Sequence, residues 1–479
     1  MSGAASASDC FQFPEIIQGG MGVGISSWSL ARAVSMAGGI GVVSGTALDT
    51  VLIRRLQDGD PDGSMRMALA AFPFQEMVAP ILAAWFIPEE KSETLKYQSR
   101  PLPTAEMSRM DEELLIVGSF VEVYLAKQGQ GGMVGVNLLE KIQLTALPTL
   151  FGAMLAGVDV VIMGGGIPVA IPEVLEGLAQ LRPVELKLHV EDVESANIYT
   201  TSFHPGTYVP VLAEALKQPL FFAVVSSHTL ARALVKKTMG RVDGFIVESH
   251  KAGGHNAPPR RDGVFGPRDE CSTDCIADLG LPFWLAGGRA SPERLQAALN
   301  AGASGVQIGS AFACSDESGM LPEIKQALIV RALAGKLEVI TDFQASPTGY
   351  PFKRANLGND RIPKNCRVCD LGYLRQIYEQ EPGLLGYRCS ASLKKSYLRR
   401  GGSEAETEGK YCLCNGLLAT IGLGQVRKGQ ATPPLVTIGE DLSFLKAFLE
   451  EGATSYTATE FMAWLRPAKV QANALCGER

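Results

Sequence analysis

The sequence predicts a (β/α)₈ barrel, an α/β TIM-barrel fold, and three observations carry the prediction. Short β-branched apolar runs alternate with longer helical patterns over the first two-thirds of the 479 residues. The runs are apolar almost throughout, as strands of a parallel sheet buried on both faces must be. Eight of them can be laid out in order, the number a closed barrel needs.

The strands are expected at Glu15–Gln18, Ile40–Ser44, Met133–Leu138, Val158–Met163, Phe221–Val225, Gly244–Glu248, Phe283–Ala286 and Gly305–Ile308. Val184–Val190 is a ninth candidate, and either it or Phe221–Val225 is the fifth barrel strand. The barrel would start in residues 1–47 and continue in 133–339. The stretch 48–132 is far longer than a βα loop and holds helical patterns, notably Asp111–Gln128, so it reads as a helical insertion after the second strand. Because both its ends attach on the side where barrel enzymes do chemistry, it is expected to cover the barrel mouth. Phe72, Phe74, Trp85 and Phe86 supply its apolar faces. Packing on the outer helices, or an oligomer contact, is the alternative. Residues 340–479 read as a Cys-rich helical extension.

Composition narrows the function. A net charge of −6 with no basic run argues against a nucleic-acid partner. The N-terminus lacks the features of a signal peptide, and no apolar run approaches a membrane span, so a cytoplasmic protein with no membrane partner is expected. Its ten cysteines then read as thiols or metal ligands rather than disulfides.

Barrel enzymes often bind a phosphate in the loops after strands seven and eight. Here those strands run into Ala286-Gly287-Gly288 and Gln307-Ile308-Gly309-Ser310. Glycines let backbone N–H groups approach phosphate oxygens, and Ser310 adds a hydroxyl. The sixth strand runs into Ala252-Gly253-Gly254-His255-Asn256, a sharp turn that would project His255 over the mouth as a general acid or base or an anion-binding group. His250 is a weaker candidate, and His189, His204 and His228 carry no assigned role.

Four stretches together resemble the nitronate monooxygenase family, formerly called 2-nitropropane dioxygenases. They are Pro14-Glu15-Ile16-Ile17-Gln18-Gly19-Gly20-Met21, Ala252-Gly253-Gly254-His255, Ala286-Gly287-Gly288 and Gly305-Val306-Gln307-Ile308-Gly309-Ser310, in family order. The resemblance implies an FMN-binding barrel in which Gly19, Gly20 and Met21 line the isoalloxazine, Asn137 contacts the flavin and His255 is the catalytic histidine. The same superfamily includes flavin-dependent enoyl reductases of fatty acid and polyketide synthesis. The chain departs from the monooxygenase pattern at Lys251, where an acidic residue is usual, and at Gly19-Gly20, which replaces Ala-Pro. The run after His255 is closer to the synthase-associated enzymes.

Two activities follow from the resemblance. The expected one is nitronate monooxygenase-like: an FMN-dependent oxidoreductase that oxidises a small anionic nitronate with O₂, with the second as its alternative. The other is an NAD(P)H-dependent reduction of an enoyl thioester. A flavin-binding scaffold is a third reading, which the intact His255 loop argues against. A homo-oligomer is compatible with any of them. In the extension, Cys366, Cys369, Cys389, Cys412 and Cys414 have spacings that zinc can use, but they are irregular and no His joins them, so buried thiols are the favoured reading and no metal ligand is assigned.

Overall fold

The computed structural model describes residues 12–89, 96–193, 197–209, 215–261, 263–358 and 367–466. Its centre is a sheet of eight parallel strands: β1 (Ile16–Gln18), β2 (Gly41–Ser44), β3 (Val134–Leu139), β4 (Val160–Gly164), β5 (Leu220–Val225), β6 (Gly244–Glu248), β7 (Phe283–Ala286) and β8 (Gly305–Ile308). Each strand pairs with the next, and β8 pairs with β1. The ring closes between β1 and β2, where Gln18 N–H donates to Ile40 O at 3.0 Å and Ile40 N–H to Ile16 O at 2.9 Å. The fold is a (β/α)₈ barrel.

Strand periodicity explains the two apolar clusters. Ile17, Val42, Val160, Ile162, Phe222, Ile246, Trp284 and Ala286 point inward and fill the barrel. Their neighbours Ile16, Val43, Val161, Phe221, Phe245 and Leu285 point outward and join the main core. Trp284 plugs the interior, stacked on Phe222 at 4.9 Å with its indole N–H donated to Pro14 O at 3.0 Å.

The fifth strand is Leu220–Val225. Val184–Lys187 pairs antiparallel with Thr200–Phe203 outside the barrel. Its burial alternates, with Glu185 and Lys187 exposed, and such a strand cannot stand in a ring covered on both sides.

The segment 48–132 differs from expectation in its place. Its last helix, Arg109–Lys127, packs between Trp28–Met36 and Ala146–Leu155 as the outer helix joining β2 to β3. Leu48–Gln57, Ser64–Ala71 and Gln75–Trp85 pack against it. Phe72 is 1% exposed and meets Phe120 with ring centroids 4.9 Å apart. The bulky side chains that suggested a lid therefore belong to the outer layer.

The extension is mixed rather than helical. It opens with two antiparallel pairs, β9 (Glu338–Asp342) with β10 (Phe352–Asn356), and β11 (Gln376–Glu381) with β12 (Leu384–Arg388). Helices Leu413–Thr420 and Ala458–Leu465 follow. β10 also pairs with the loop after β6, setting Gly254 opposite Lys353 and His255 opposite Phe352. The extension thus folds back over the barrel mouth. Among the described residues no helix is long and apolar enough to cross a membrane.

Candidate active site

The β1 loop is held by one buried side chain. Gln18 donates to Gly19 O at 2.6 Å and Ser26 Oγ at 2.7 Å, and accepts from Val42 N–H at 2.9 Å. Ser26 Oγ in turn accepts from Met21 N–H at 2.9 Å. Gly19, Gly20 and Met21 are thereby fixed at the barrel mouth. Gly20 lies flat on Asn137, and a Cβ there would fall 2.2 Å from Asn137 Cβ.

The loops after β7 and β8 stand beside it. Gly287 has φ +91°, and a side chain there would meet Ser249 Oγ at 2.9 Å and Ala252 N at 3.1 Å. Gly288 follows at φ +65°. The Ser310 hydroxyl accepts from Gly439 N–H of the extension at 2.8 Å, leaving its own proton to donate.

These loops enclose two adjoining cavities. The first, of about 120 Å³, is lined by Gly19, Gly20, Met21, Gly254, Gly287, Gly288, Gln307, Gly309 and Ser310. The second, of about 180 Å³, is lined by Asn137 and His255 and by an apolar wall including Val23, Leu138, Ile142, Phe352, Leu413 and Leu417. They share Gly20, Glu248 and Gly254. The structure therefore brings the glycine-loop residues, Met21, Asn137, Gln307, Ser310 and His255 to one composite site.

His255 is less exposed than its motif suggests. Its Nε2 lies 2.7 Å from Ser346 Oγ, and its ring meets the edge of Phe352 at 4.9 Å. Burial lowers its pKa from 6.5 to about 4, so the ring is neutral at physiological pH. His250 stacks on Phe265 at 4.7 Å and faces a separate small pocket.

Two further groups were not singled out in the sequence. Glu248 ends β6 and opens on both cavities, and burial alone acts on its carboxyl. Burial pushes its carboxyl up to about 8, so it too is neutral near pH 7. Arg289 lines the first cavity, and its buried Nε lacks a partner, as do Asn137 Oδ1 and Gln307 Oε1. Buried polar atoms are rarely left unpaired, so these three mark where a polar ligand would sit. The signal available in sequence was the place of Glu248 and Arg289 at strand C-termini, beside glycines already chosen.

The cavities are roofed by the extension. Tyr373, Leu374, Cys414 and Thr437 line the second cavity, and Ile438 and Asp441 the first. Thr437 Oγ1 accepts from Gly254 N–H at 2.9 Å and donates to Lys353 O at 2.7 Å, tying roof to loop. Tyr373 is anchored by its hydroxyl to Asp49 at 2.6 Å, and Asp49 is held by Arg100 at 2.9 Å. The segment 48–132 thus supports the roof, and its described residues line neither of the two cavities. Among the described residues no three His, Cys, Asp or Glu side chains are arranged to hold a metal ion; Cys366 lies outside those residues.

Residues 169–352, which carry β5 to β8, Gly254-His255 and both phosphate-type loops, match the family model for nitronate monooxygenase. The match marks this stretch, less than half of the chain, as similar to nitronate monooxygenases. Curated relatives of that family include a probable nitronate monooxygenase from Bacillus subtilis, 33% identical over 112 residues, which is 22% of this chain and 30% of the relative. Another, from Staphylococcus saprophyticus, is 27% identical over 154 residues, or 30% of this chain and 41% of the relative. The chain matches less than half the length of these relatives. Among solved structures, a nitroalkane oxidase from Streptomyces ansochromogenes is similar at 17% identity and TM-score 0.46, covering 95% of each chain. FabK from Thermotoga maritima is similar at 19% identity and TM-score 0.39, covering 72% of this chain and 71% of its own. Neither likeness carries a functional assignment.

Proposed function

We propose that the protein is an FMN-dependent oxidoreductase that reduces an enoyl thioester with electrons from NAD(P)H. The chemistry of the lining suits FMN: two glycine loops, the Ser310 hydroxyl and the unpaired Nε of Arg289 in the first cavity suit a phosphate, and the unpaired oxygens of Gln307 in the first cavity and Asn137 in the second suit a polar ring edge. Gly19, Gly20, Met21 and Gly254 leave room for a flat ring against their backbone. Bound FMN would supply the hydride chemistry, and the protein would position and tune it.

The observation that carries the substrate class is the lining of the second cavity. Among the described residues no Lys or Arg lines it, its wall is largely apolar, and both His255 and Glu248 are held neutral. An anion would enter it without a counter-charge, whereas an acyl chain would bury apolar surface. Neutral His255, steadied by Ser346, would hydrogen-bond a substrate carbonyl. Glu248 would hold a transferable proton where the two cavities meet.

A second reading, oxidation of a nitronate with O₂, is favoured by the family match over residues 169–352. Anaerobic mixing of the FMN-loaded protein with NADPH separates the two. Rapid bleaching of the yellow colour is the result expected for the reductase. Bleaching by a nitronate but not by NADPH would overturn it.

A further inference from the structure

Glu248 lines a third cavity besides the two described above. It is small, about 30 Å³, and Ser226, Ser249, His250, Asn256 and Arg260 make its lining polar. Neither a flavin nor an acyl chain enters a space of that size. At ~10–15 Å³ for each molecule, it has room for about two waters. We propose that this cavity holds water that passes protons from solvent to Glu248 through His250. The proposal rests on the reading of Glu248 as the proton donor.

Two buried atoms call for that water. Asn256 is buried, and it lines this cavity and neither of the other two. Its Nδ2 donates to Ala252 O at 3.2 Å, but its Oδ1 has no hydrogen-bond partner among the described residues. His250 Nδ1 is likewise buried and unpaired there. Buried waters typically make about three hydrogen bonds to polar groups that would otherwise go without a partner. The hydroxyls of Ser226 and Ser249 offer further ones.

His250 is placed at the outer end of the path. Its ring lies flat against Phe265, with centroids 4.7 Å apart and planes 10° apart. The side chain is 19% exposed while its Nδ1 is closed to solvent, so the ring reaches from the surface to the interior. Half-exposed Glu270 stands with its Oε1 3.6 Å from that nitrogen. The other charged groups of the lining are engaged. Asp269 accepts from Arg260 N–H and Gly266 N–H, both at 2.8 Å, and the Arg260 guanidinium donates to Arg268 O. An imidazole takes a proton at one nitrogen and releases one from the other, which suits it to shuttle protons.

The path matters once ligands are bound. With the first two cavities filled, the third is the face of Glu248 left to water. After Glu248 has given its proton to the substrate, its carboxylate takes one from the cavity water. His250 gives one to that water and takes one from solvent. One proton moves inward per turnover, and no electron moves.

The test uses the full-length protein and two substitutions. His250→Phe keeps a flat ring on Phe265, and His250→Gln keeps a hydrogen-bonding group that cannot pass a proton on. With excess NADPH and crotonyl-coenzyme A, both variants should complete the first turnover near the wild-type rate, using the proton already on Glu248. Their steady-state rate should fall by about 10²-fold, the lower end for a lost proton-transfer group, and added imidazole should restore it in His250→Phe. A second readout needs no substrate. In D₂O the carbonyl stretch of the Glu248 carboxyl, identified by its loss in Glu248→Gln, should shift more slowly in both variants than in the wild type. If one variant does not fold, the other still answers. Equal deuteration in variant and wild type would overturn the relay. So would wild-type steady-state turnover in His250→Gln, which would make the contact structural. If deuteration slows but the wild type reduces no enoyl thioester, the relay stands and the reductase reading falls.

Discussion

Replacing Glu248 by Gln removes a titration while keeping the shape and neutrality of a protonated carboxyl. Burial raises the Glu248 pKa from 4.5 to about 8, and no hydrogen bond or charge opposes it. Between those two pH values the folded protein keeps a proton that the unfolded chain releases. Stability should therefore be fully present below pH 4.5, fall as pH rises, and level off above 8. At about 1.36 kcal/mol per pH unit, the interval from 4.5 to about 8 sets an upper bound of roughly 5 kcal/mol, which water entering the cavity will reduce. The assay is urea unfolding of both proteins at one-unit steps from pH 5 to pH 9. Relative to Glu248→Gln, the wild type should lose stability steadily up to pH 8 and no further. Parallel profiles would refute the reasoning, because they would show that Glu248 is already ionised in the folded state.

Three further outcomes are expected. His255→Ala should retain FMN yet lose about 10²- to 10⁴-fold in turnover, measured with flavin content checked by absorbance. Since burial holds His255 neutral down to about pH 4, its stabilising contribution is present above pH 6.5 and lost as pH falls through 4, and wild-type turnover should show no step near 6.5 from this group. Gly287→Ala forces a side chain into left-handed backbone and against Ser249, at a cost of roughly 1–2 kcal/mol, and dialysis should strip FMN from it faster than from the wild type. Phe72→Ala should lower stability by about 3–5 kcal/mol in urea titration while leaving KM unchanged, because Phe72 sits in the outer layer; a changed KM would return the segment to the cavity.

Much of this site could be read from local patterns. Continuous apolar runs gave the barrel strands to within a residue or two, since a strand buried on both faces has few other compositions. The alternating polar residues Glu185 and Lys187 were a usable sign that Val184–Lys187 lies outside the ring. The roof was not readable. Pairing of Gly254-His255 with Phe352-Lys353 joins residues about a hundred positions apart, and no local periodicity reports it. The same holds for Glu248 and the neutral state of His255, because burial that moves a pKa comes from elements distant in sequence. Large aromatic side chains in 48–132 required a packing partner but did not say on which face it lay.

The roof makes the order of synthesis matter. β8 ends at Ile308, so a ribosome will have released the whole ring while Thr437, Ile438 and Asp441 are still unmade. At typical elongation rates the remaining stretch takes roughly 7–27 s. For that interval the nascent ring has its glycine loops open to water on one side. The cover is then laid in two stages, first when β10 sets Phe352 against His255 and later when Thr437, Ile438 and Asp441 arrive. A chain stopped near residue 340 would carry nearly every residue of the first cavity's floor and none of its cover.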